Sequence, residues 1–424
     1  MKIFSTAAIF LLFAAQLFAQ QNFVANYDES KIPTYQLPDP LKFKDGKSVL
    51  SPKDWTKRRA EIFSLLENQM YGKVPEGKTS LAFKEISRDE NACGGSAVRR
   101  EIEITLSREG KSIPLNLLMY LPKSAKKSPL FLSYNFSGNH TTSKDKGIKI
   151  CSSWVRNNAS QGITNNQSTE ANRGSDEASW PVDAIIKRGY GLATIYYGDV
   201  DPDFDDGFKN GVHALFSAPR DGSSWGSIAA WAWGLSRVMD YLEKVKEVDS
   251  KRVMVMGHSR LGKATLWAGA TDKRFAIVIS NESGSGGAAL SLRKIGETIT
   301  RTNTSFPHWF CGNFKNYNNK EESLPFDQHE VLALMAPRPV YVSTALEDQW
   351  GDPKGSFLAC VAASPVFRLL GLEGFPGKEM PGLEQPVVGT IGFHIRPGKH
   401  DVKPYDWSCF MDFADKNFKK PGKD

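Results

Sequence analysis

The stretch from Val253 to Ala264 contains a serine in the setting that a nucleophile elbow requires. An apolar run leads into Gly257, Ser259 follows two positions later, and helix-forming residues continue through Trp267. A sharp turn between a strand and a helix exposes such a serine hydroxyl at the edge of a sheet. The start of the following helix favours negative charge at the same place. The pattern therefore predicts that Ser259 is the nucleophile of a hydrolase.

A serine nucleophile needs a base to take its proton and an acid to orient that base. In α/β-hydrolases the acid and then the histidine follow the serine along the chain. His400 lies in a turn-rich loop between the last predicted strand and the final predicted helix, so we expect it to be the base. We expect no catalytic role for His308, His329 and His394, which also follow Ser259.

Two carboxylates compete for the role of the acid. Glu282 follows the predicted strand after the elbow, and Asp348 follows the next one. Both would lie at the carboxyl ends of strands, the edge where sites form in parallel sheets, and the sequence leaves both open. We expect the neighbouring Glu347 and Asp352 to be solvated or to cap a helix.

Arg260 follows the nucleophile, and the backbone N–H at this position usually contributes to the oxyanion hole. Its guanidinium could add a second, charged donor to the developing oxyanion. The alternative is an arginine that supports the elbow through a salt bridge. The motif departs from the usual G-x-S-x-G pattern, because Leu261 stands at the position of the second glycine and Gly262 comes one later.

Four motifs between about residues 110 and 418 carry a resemblance to a known family. They are Gly257-His-Ser-Arg-Leu-Gly-Lys-Ala, Asn281-Glu-Ser-Gly-Ser-Gly-Gly, Asp348-Gln-Trp-Gly-Asp-Pro and Gly398-Lys-His-Asp. Together they resemble the glucuronoyl esterases, carbohydrate esterase family 15. The resemblance implies hydrolysis of the ester between 4-O-methylglucuronate on xylan and lignin alcohols, with no metal or organic cofactor.

The resemblance also implies roles for individual residues. Ser259 would be the nucleophile, and Arg260 would assist the oxyanion. Glu282 matches the triad acid of many members, whereas some bacterial members place an acid after the later strand, as at Asp348, or carry both. His258 replaces a cysteine of the fungal members, which favours a bacterial type of enzyme.

Three further residues match positions that bind the sugar in this family. Lys263, one turn past Ser259, would bind sugar hydroxyls together with Glu297, which we place in a helix beyond the glycine-rich loop. Trp350 would contact the uronate. Without the resemblance, these residues could equally be a surface lysine, a carboxylate on a helix face and a core tryptophan.

The order of predicted elements indicates an α/β-hydrolase fold, a three-layer sandwich with a mostly parallel sheet and antiparallel strands at its start. We assign residues 20–95 to an N-terminal arm and helix packed on the core, and residues 96–424 to the catalytic domain. An irregular insertion near residues 141–178 could shape a substrate cleft. Strands are predicted near 100–106, 113–121 and 129–136, and helices near 55–70, 228–245, 357–370 and 406–418.

Residues 1–19 read as a cleavable signal peptide, with Lys2 before an apolar core and Ala19 at the cut. The mature protein is therefore expected to be secreted or periplasmic, and no other segment is long enough to span a membrane. The net charge of +7 is spread without a basic block, which argues against nucleic acid binding. The five cysteines form no metal motif and allow one or two disulfides. We expect a monomer.

Two other functions are compatible with these residues. The first is a different α/β-hydrolase, such as an acetyl xylan esterase or a peptidase. The second is a non-catalytic carbohydrate-binding protein on a hydrolase scaffold, against which the complete set of serine, acid and histidine argues.

Overall fold

A computed structural model describes residues 23–418 of the chain. The predicted signal peptide at residues 1–19 lies outside the described residues. No helix within the described range is both long enough and apolar enough to cross a bilayer.

One sheet of ten strands runs through the described part of the chain, in the order β1-β2-β3-β5-β4-β6-β7-β8-β10-β9. Strands β5, β4, β6, β7, β8 and β10 pair with one another in parallel. Strands β1, β2 and β3 form antiparallel hairpins at one edge, and the pairs β3–β5 and β10–β9 are also antiparallel. The strands are β1 (Ser80–Ala92), β2 (Ala97–Arg108), β3 (Lys111–Pro122), β4 (Ser128–Asn135), β5 (Gly191–Tyr196), β6 (Val248–His258), β7 (Ile277–Asn281), β8 (Val340–Ala345), β9 (Val387–Val388) and β10 (Ile391–Arg396).

Helices cover both faces of the sheet, because successive residues of the central strands point to opposite sides. In β4, Leu130 and Leu132 pack into one apolar cluster, whereas Phe131 packs into the other. The helices are α1 (Pro52–Leu66), α2 (Val182–Lys187), α3 (Tyr197–Val200), α4 (Ser227–Leu242), α5 (Arg260–Thr271), α6 (Ile299–Ser305), α7 (Gln328–Ala333), α8 (Pro353–Leu369) and α9 (Pro404–Phe418). Residues of α1, α4, α5 and α8 belong to the first cluster, and residues of α2 and α9 to the second. The predicted α/β-hydrolase architecture is confirmed.

Strand β1 was not predicted. Its side chains are mostly exposed or half-buried, and charged residues interrupt the alternation that marks a strand with one buried face. It pairs with β2 from Ser80 to Ala92, so the boundary drawn at residue 95 falls inside a hairpin of the main sheet. The first helix is also shorter than predicted, since α1 ends at Leu66 and a π-helical turn continues to Tyr71.

The insertion at residues 141–178 contains short 3-10 turns and isolated bridges, without a longer helix or strand in this part of the chain. All five cysteines are free, with Cys311, Cys360 and Cys409 buried. Neither of the disulfides allowed by the sequence is present among the described residues.

Candidate active site

Ser259 is the single residue between β6 and α5. It has a φ of 57° and a ψ of −130°, a conformation rare for a residue with a side chain and concentrated at functional sites. Its N–H donates to the carbonyl of Asn281 at 2.9 Å. The chain can turn here because Gly257 has no side chain: a Cβ would lie 2.2 Å from the carbonyl oxygen of Leu261. The predicted turn is therefore present at Ser259.

His400 lies in the loop between β10 and α9, and both candidate acids contact it. Its Nδ1 is 2.8 Å from Oδ2 of Asp348 and 3.2 Å from Oε2 of Glu282. The two carboxylates meet because they follow the adjacent strands β8 and β7. Because both acids contact Nδ1, Nε2 of the imidazole remains available to bond to a substrate or to the serine.

Ser259 and His400 line the same two cavities at this edge of the sheet. Within residues 23–418, no hydrogen bond joins the two side chains. Such bonds are often long in free enzymes and tighten only when substrate binds. The structure thus brings the serine and the histidine to the same cavities and places both acids against the histidine.

Glu282 has further partners that Asp348 lacks. Arg396 lies 2.5 Å from its Oε1, and the backbone N–H of Asp401 donates to Oε2 at 2.9 Å. Burial raises the pKa of Glu282, although the contacts with His400 and Arg396 act in the opposite direction. Glu282 therefore fixes the histidine loop as well as the imidazole.

His258, Glu282 and His400 present potential metal-ligand atoms within 4.8 Å of one another. Glu282 is already paired with Arg396, and Nδ1 of His258 accepts from the amide of Asn281 at 2.8 Å. Burial also keeps the pKa of His258 well below its usual value. We interpret the group as the surroundings of a catalytic imidazole rather than as a metal centre.

Arg260 forms the salt bridge that the sequence left open as one of its two possible roles. Its guanidinium borders both cavities beside Ser259 and forms a salt bridge with Asp203. Asp203 is fully buried and also accepts hydrogen bonds from His308, Trp309 and Tyr197, at 2.9, 2.8 and 3.1 Å. Burial alone would raise the pKa of Asp203, but these donors and Arg260 lower it well below its usual range.

Ser259 borders a cavity of about 430 Å³, which we call the Lys263 cavity. Nζ of Lys263 is buried and bonded to the carbonyl oxygens of Ser283 and Ser285 and, at 2.8 Å, to Glu297. An ammonium group has three donors, so all of them are occupied. Lys263 is therefore not a surface lysine, and it holds the Glu297 carboxylate in place.

The placement of Glu297 in a helix is wrong. Glu297 lies in a bend before α6, which begins at Ile299, and its N–H bonds to the carbonyl of Trp350 at 3.0 Å. Trp350 is 38% exposed and lines the same cavity, so it is not a core tryptophan. The three predicted sugar-binding residues are thus neighbours.

Ser259 also borders a second cavity of about 460 Å³, which we call the insertion cavity. Residues of the insertion, among them Arg156, Asn158, Gln161 and Asp176, form part of its wall. The suggestion that the insertion shapes a cleft agrees with this placement.

The other histidines and acids have structural surroundings. His329 bonds to the carbonyl of Pro38, and His394 to Asp406. Glu347 is exposed. Asp352 caps α8 by accepting from the N–H of Gly355 at 2.9 Å. His308 bonds to Asp203 and is thus one contact away from Arg260.

Three residues that contribute to the site were not predicted to do so: Asp203, Arg396 and Asn281. Asp203 lies among several aspartates in a loop, and nothing in that stretch distinguishes the one that folds inward. Arg396 ends β10, four residues before His400, and could have been noticed as a cation near the predicted base. Asn281 is the last residue of β7, next to Glu282.

The fold and the site define an α/β-hydrolase with a serine at the elbow and a histidine paired to carboxylates. A family model of fungal glucuronyl esterases matches residues 175–371. A carbohydrate esterase of an unknown prokaryotic organism is 51% identical over 92% of this chain and 91% of its own length. A glucuronoyl esterase structure from Solibacter usitatus is 46% identical, covers 92% of this chain and 100% of its own, and has a TM-score of 0.86.

A 4-O-methyl-glucuronoyl methylesterase from Schizophyllum commune is 29% identical over 82% of this chain and 76% of its own length. The chain therefore belongs to the glucuronoyl esterases, carbohydrate esterase family 15, and is a carboxylic ester hydrolase. The resemblance in the four motifs is confirmed.

Gly257→Ala tests the close approach at the elbow. The added Cβ would overlap the carbonyl of Leu261, so we expect a loss of about 1–3 kcal/mol of unfolding free energy and of most esterase activity. Denaturant unfolding and turnover of benzyl glucuronate measure the two effects. Gly382→Ala is the control, because its Cβ would meet only the flexible Gln385 side chain. If both variants lost the same unfolding free energy and the same activity, the close approach of the backbone at Gly257 would be contradicted.

The pH dependence of activity tests the pairing of His400. Burial lowers the pKa of His400, but bonds to Asp348 and Glu282 outweigh it and raise the pKa to about 9. A base must be neutral to accept a proton, so kcat/KM should rise with pH towards that value. In Asp348→Asn and Glu282→Gln, one carboxylate is lost, and the rising limb should move to lower pH.

Profiles of kcat/KM against pH, corrected for spontaneous ester hydrolysis, measure this shift. Glu347→Gln is the matched control, since Glu347 is exposed and adjacent to Asp348, and it should keep the profile of the original protein. If the rising limb of the pH profile stays at the same pH in both carboxylate variants, neither acid sets the charge of His400.

Proposed function

We propose that this protein hydrolyses the ester between glucuronic acid or 4-O-methylglucuronic acid of xylan and lignin alcohols. The observation that carries this proposal is the Lys263 cavity beside Ser259, where the Lys263–Glu297 pair and Trp350 meet. A fixed carboxylate accepts hydrogen bonds from sugar hydroxyls, and an exposed indole offers a flat apolar face to a sugar ring. The names of the two glucuronoyl esterase relatives support the same substrate.

In the proposed reaction, Ser259 attacks the ester carbonyl while Nε2 of His400 takes the hydroxyl proton. The oxyanion that forms faces the guanidinium of Arg260 and the backbone N–H of the same residue, at the start of α5. His400 then protonates the leaving alcohol. Water activated by His400 cleaves the acyl-enzyme, while Asp348 and Glu282 orient the imidazole through Nδ1.

Ser259→Ala tests the nucleophile and the substrate together. Hydrolysis of benzyl glucuronate should fall by at least about 10³-fold, because a triad serine supplies most of the rate acceleration. Binding of glucuronate, measured by calorimetry, should persist because the Lys263 cavity is unchanged. Ser175→Ala, at an exposed serine, is the control.

Comparison of substrates separates this function from its alternatives. The original protein should prefer benzyl glucuronate to 4-nitrophenyl acetate and to peptides. A preference for acetate with no hydrolysis of uronate esters would indicate an acetyl esterase. Undiminished turnover by Ser259→Ala would refute the mechanism.

Asp203 is proposed to act as a positioning residue for Arg260. Asp203→Asn removes the charge that holds the guanidinium, so kcat should fall by about 10-fold or more with a smaller change in KM, as for a weakened oxyanion donor. A double-mutant cycle with Arg260→Ala separates this effect from loss of packing. The Asp203 substitution should cost little once Arg260 is absent. An equal loss in both backgrounds would mean that Asp203 is only structural.

The protein is further proposed to be exported as a monomer. The support lies in the pattern of residues 1–19 and in the polymeric substrate, which is found outside cells. Expression of the full chain in a bacterial host should yield periplasmic or secreted protein that begins near Gln20. Mass spectrometry of its N-terminus and light scattering measure both properties. An uncleaved chain in the cytoplasm would contradict export.

A further inference from the structure

Phe23, at the start of the described chain, contacts two side chains that line the Lys263 cavity. Its ring meets the indole of Trp350 edge to face, with the ring centroids 5.9 Å apart and the planes at 81°. The guanidinium of Arg301 lies over the Phe23 ring, 5.6 Å from its centroid. Trp350 and Arg301 line the cavity, whereas Phe23 is not among the lining residues. Phe23 therefore supports the wall of this cavity without forming it.

The backbone of Trp350 is fixed, but its side chain has few restraints. The carbonyl of Trp350 accepts from the N–H of Glu297 at 3.0 Å, and a Cβ at Gly296 would lie 2.3 Å from the same oxygen. The indole is 38% exposed, and within residues 23–418 its Nε1 makes no hydrogen bond. Its one aromatic contact in that range is with Phe23. The contact with Phe23 therefore restrains the indole.

The segment that follows Phe23 is attached to the same part of the fold. The carbonyl of Asn26 accepts from the N–H of Gly296 at 2.9 Å. The Glu29 carboxylate forms salt bridges with Arg293, which is buried, and with Lys354 of α8 at 2.7 Å. These bonds connect residues 26–29 to the loop before α6 and to α8, so the Phe23 ring is held against Trp350.

We propose that Phe23 is a positioning residue for the uronate site and holds the indole of Trp350 in the orientation that contacts the sugar. The inference rests on the proposed function, because it takes the uronate to bind in the Lys263 cavity. Edge-to-face contact stabilises an aromatic pair beyond the area that it buries, and a cation over the Phe23 face adds to this. A restrained indole loses less conformational freedom when a sugar binds, so the affinity is higher. Affinity for the uronate thus depends on a segment far in sequence from the catalytic motifs.

Phe23→Ala tests this role. KM for benzyl glucuronate and Kd for glucuronate, measured by calorimetry, should both rise about 3- to 10-fold, because the indole must be ordered on binding. The kcat value should change less than about 2-fold, because the serine, the histidine and both acids are unaltered. Phe23→Tyr keeps the ring and should keep both constants. Val24→Ala is the matched control, since Val24 is exposed and adjacent to Phe23.

A double-mutant cycle with Trp350→Ala shows whether Phe23 acts through the indole. Trp350→Ala alone should raise Kd for glucuronate, and adding Phe23→Ala to it should change Kd by less than about 2-fold. Thermal unfolding of each variant verifies that the fold is retained.

The outcomes separate this inference from the proposed function. Unchanged KM and Kd in Phe23→Ala, with uronate esters still hydrolysed, would overturn the role of Phe23 alone. An equal rise in Kd with and without Trp350 would also overturn it, because Phe23 would not act through the indole. A lower kcat with unchanged KM and Kd would show that Phe23 only maintains the fold. Absence of uronate ester hydrolysis by the original protein would instead refute the proposed function, and the inference with it.

Discussion

Asn281 is buried and joins the three segments on which the site depends. Its backbone carbonyl accepts from the N–H of Ser259, its side-chain amide donates to His258 and to the carbonyl of Asp401, and its Oδ1 accepts from Ser343. The elbow, the strand β8 and the histidine loop are therefore fixed to the end of β7. A buried amide with all these bonds satisfied has no alternative arrangement of comparable free energy. This one residue therefore bonds to the elbow, to β8 and to the histidine loop at the same time.

The same edge of the sheet explains why two acids can share one imidazole. Two carboxylates close together repel each other, and their charges need compensation when they are buried. Arg396, which also pairs with Asp406, forms a salt bridge with Glu282, and the N–H of Asp401 donates a further hydrogen bond to Glu282. Asp348 is then the carboxylate with the shorter contact to His400 and without an arginine partner of its own. Glu282 thus contacts both the histidine loop and the imidazole, whereas Asp348 contacts the imidazole.

Chain order and strand periodicity predicted most of the site geometry. Ser259, Glu282, Asp348 and His400 each follow a strand of a parallel sheet, and such positions converge at one edge whatever the intervening loops do. The missed features depend on long-range contacts that leave no local pattern. Three of the side chains that bond to Asp203, those of His308, Trp309 and Arg260, lie more than 50 residues away along the chain.

The errors about individual elements have the same origin. Strand β1 is an exposed edge strand, so it lacks the buried face that produces an alternating pattern. Lys263 has the spacing of a side chain that reaches into a cleft, yet its three donors are occupied by carbonyl groups of a glycine-rich loop and by Glu297. The spacing of Lys263 from Ser259 correctly predicted the region in which the ammonium group lies. The bonding partners of this group could not be predicted, because they depend on how a distant loop folds.

The charges around Arg260 show that the insertion and the oxyanion site are one electrostatic unit. Arg156 from the insertion and Arg260 from the elbow share the carboxylate of Asp203, with Nη2 of Arg156 3.4 Å from Oδ2. Two guanidinium groups and one carboxylate leave one positive charge beside the site. An oxyanion on the substrate would complete the balance, because a charge in a partly buried cleft is most stable when it is paired. The insertion thus contributes to the field at the reacting carbonyl even though Arg156 is not part of the elbow.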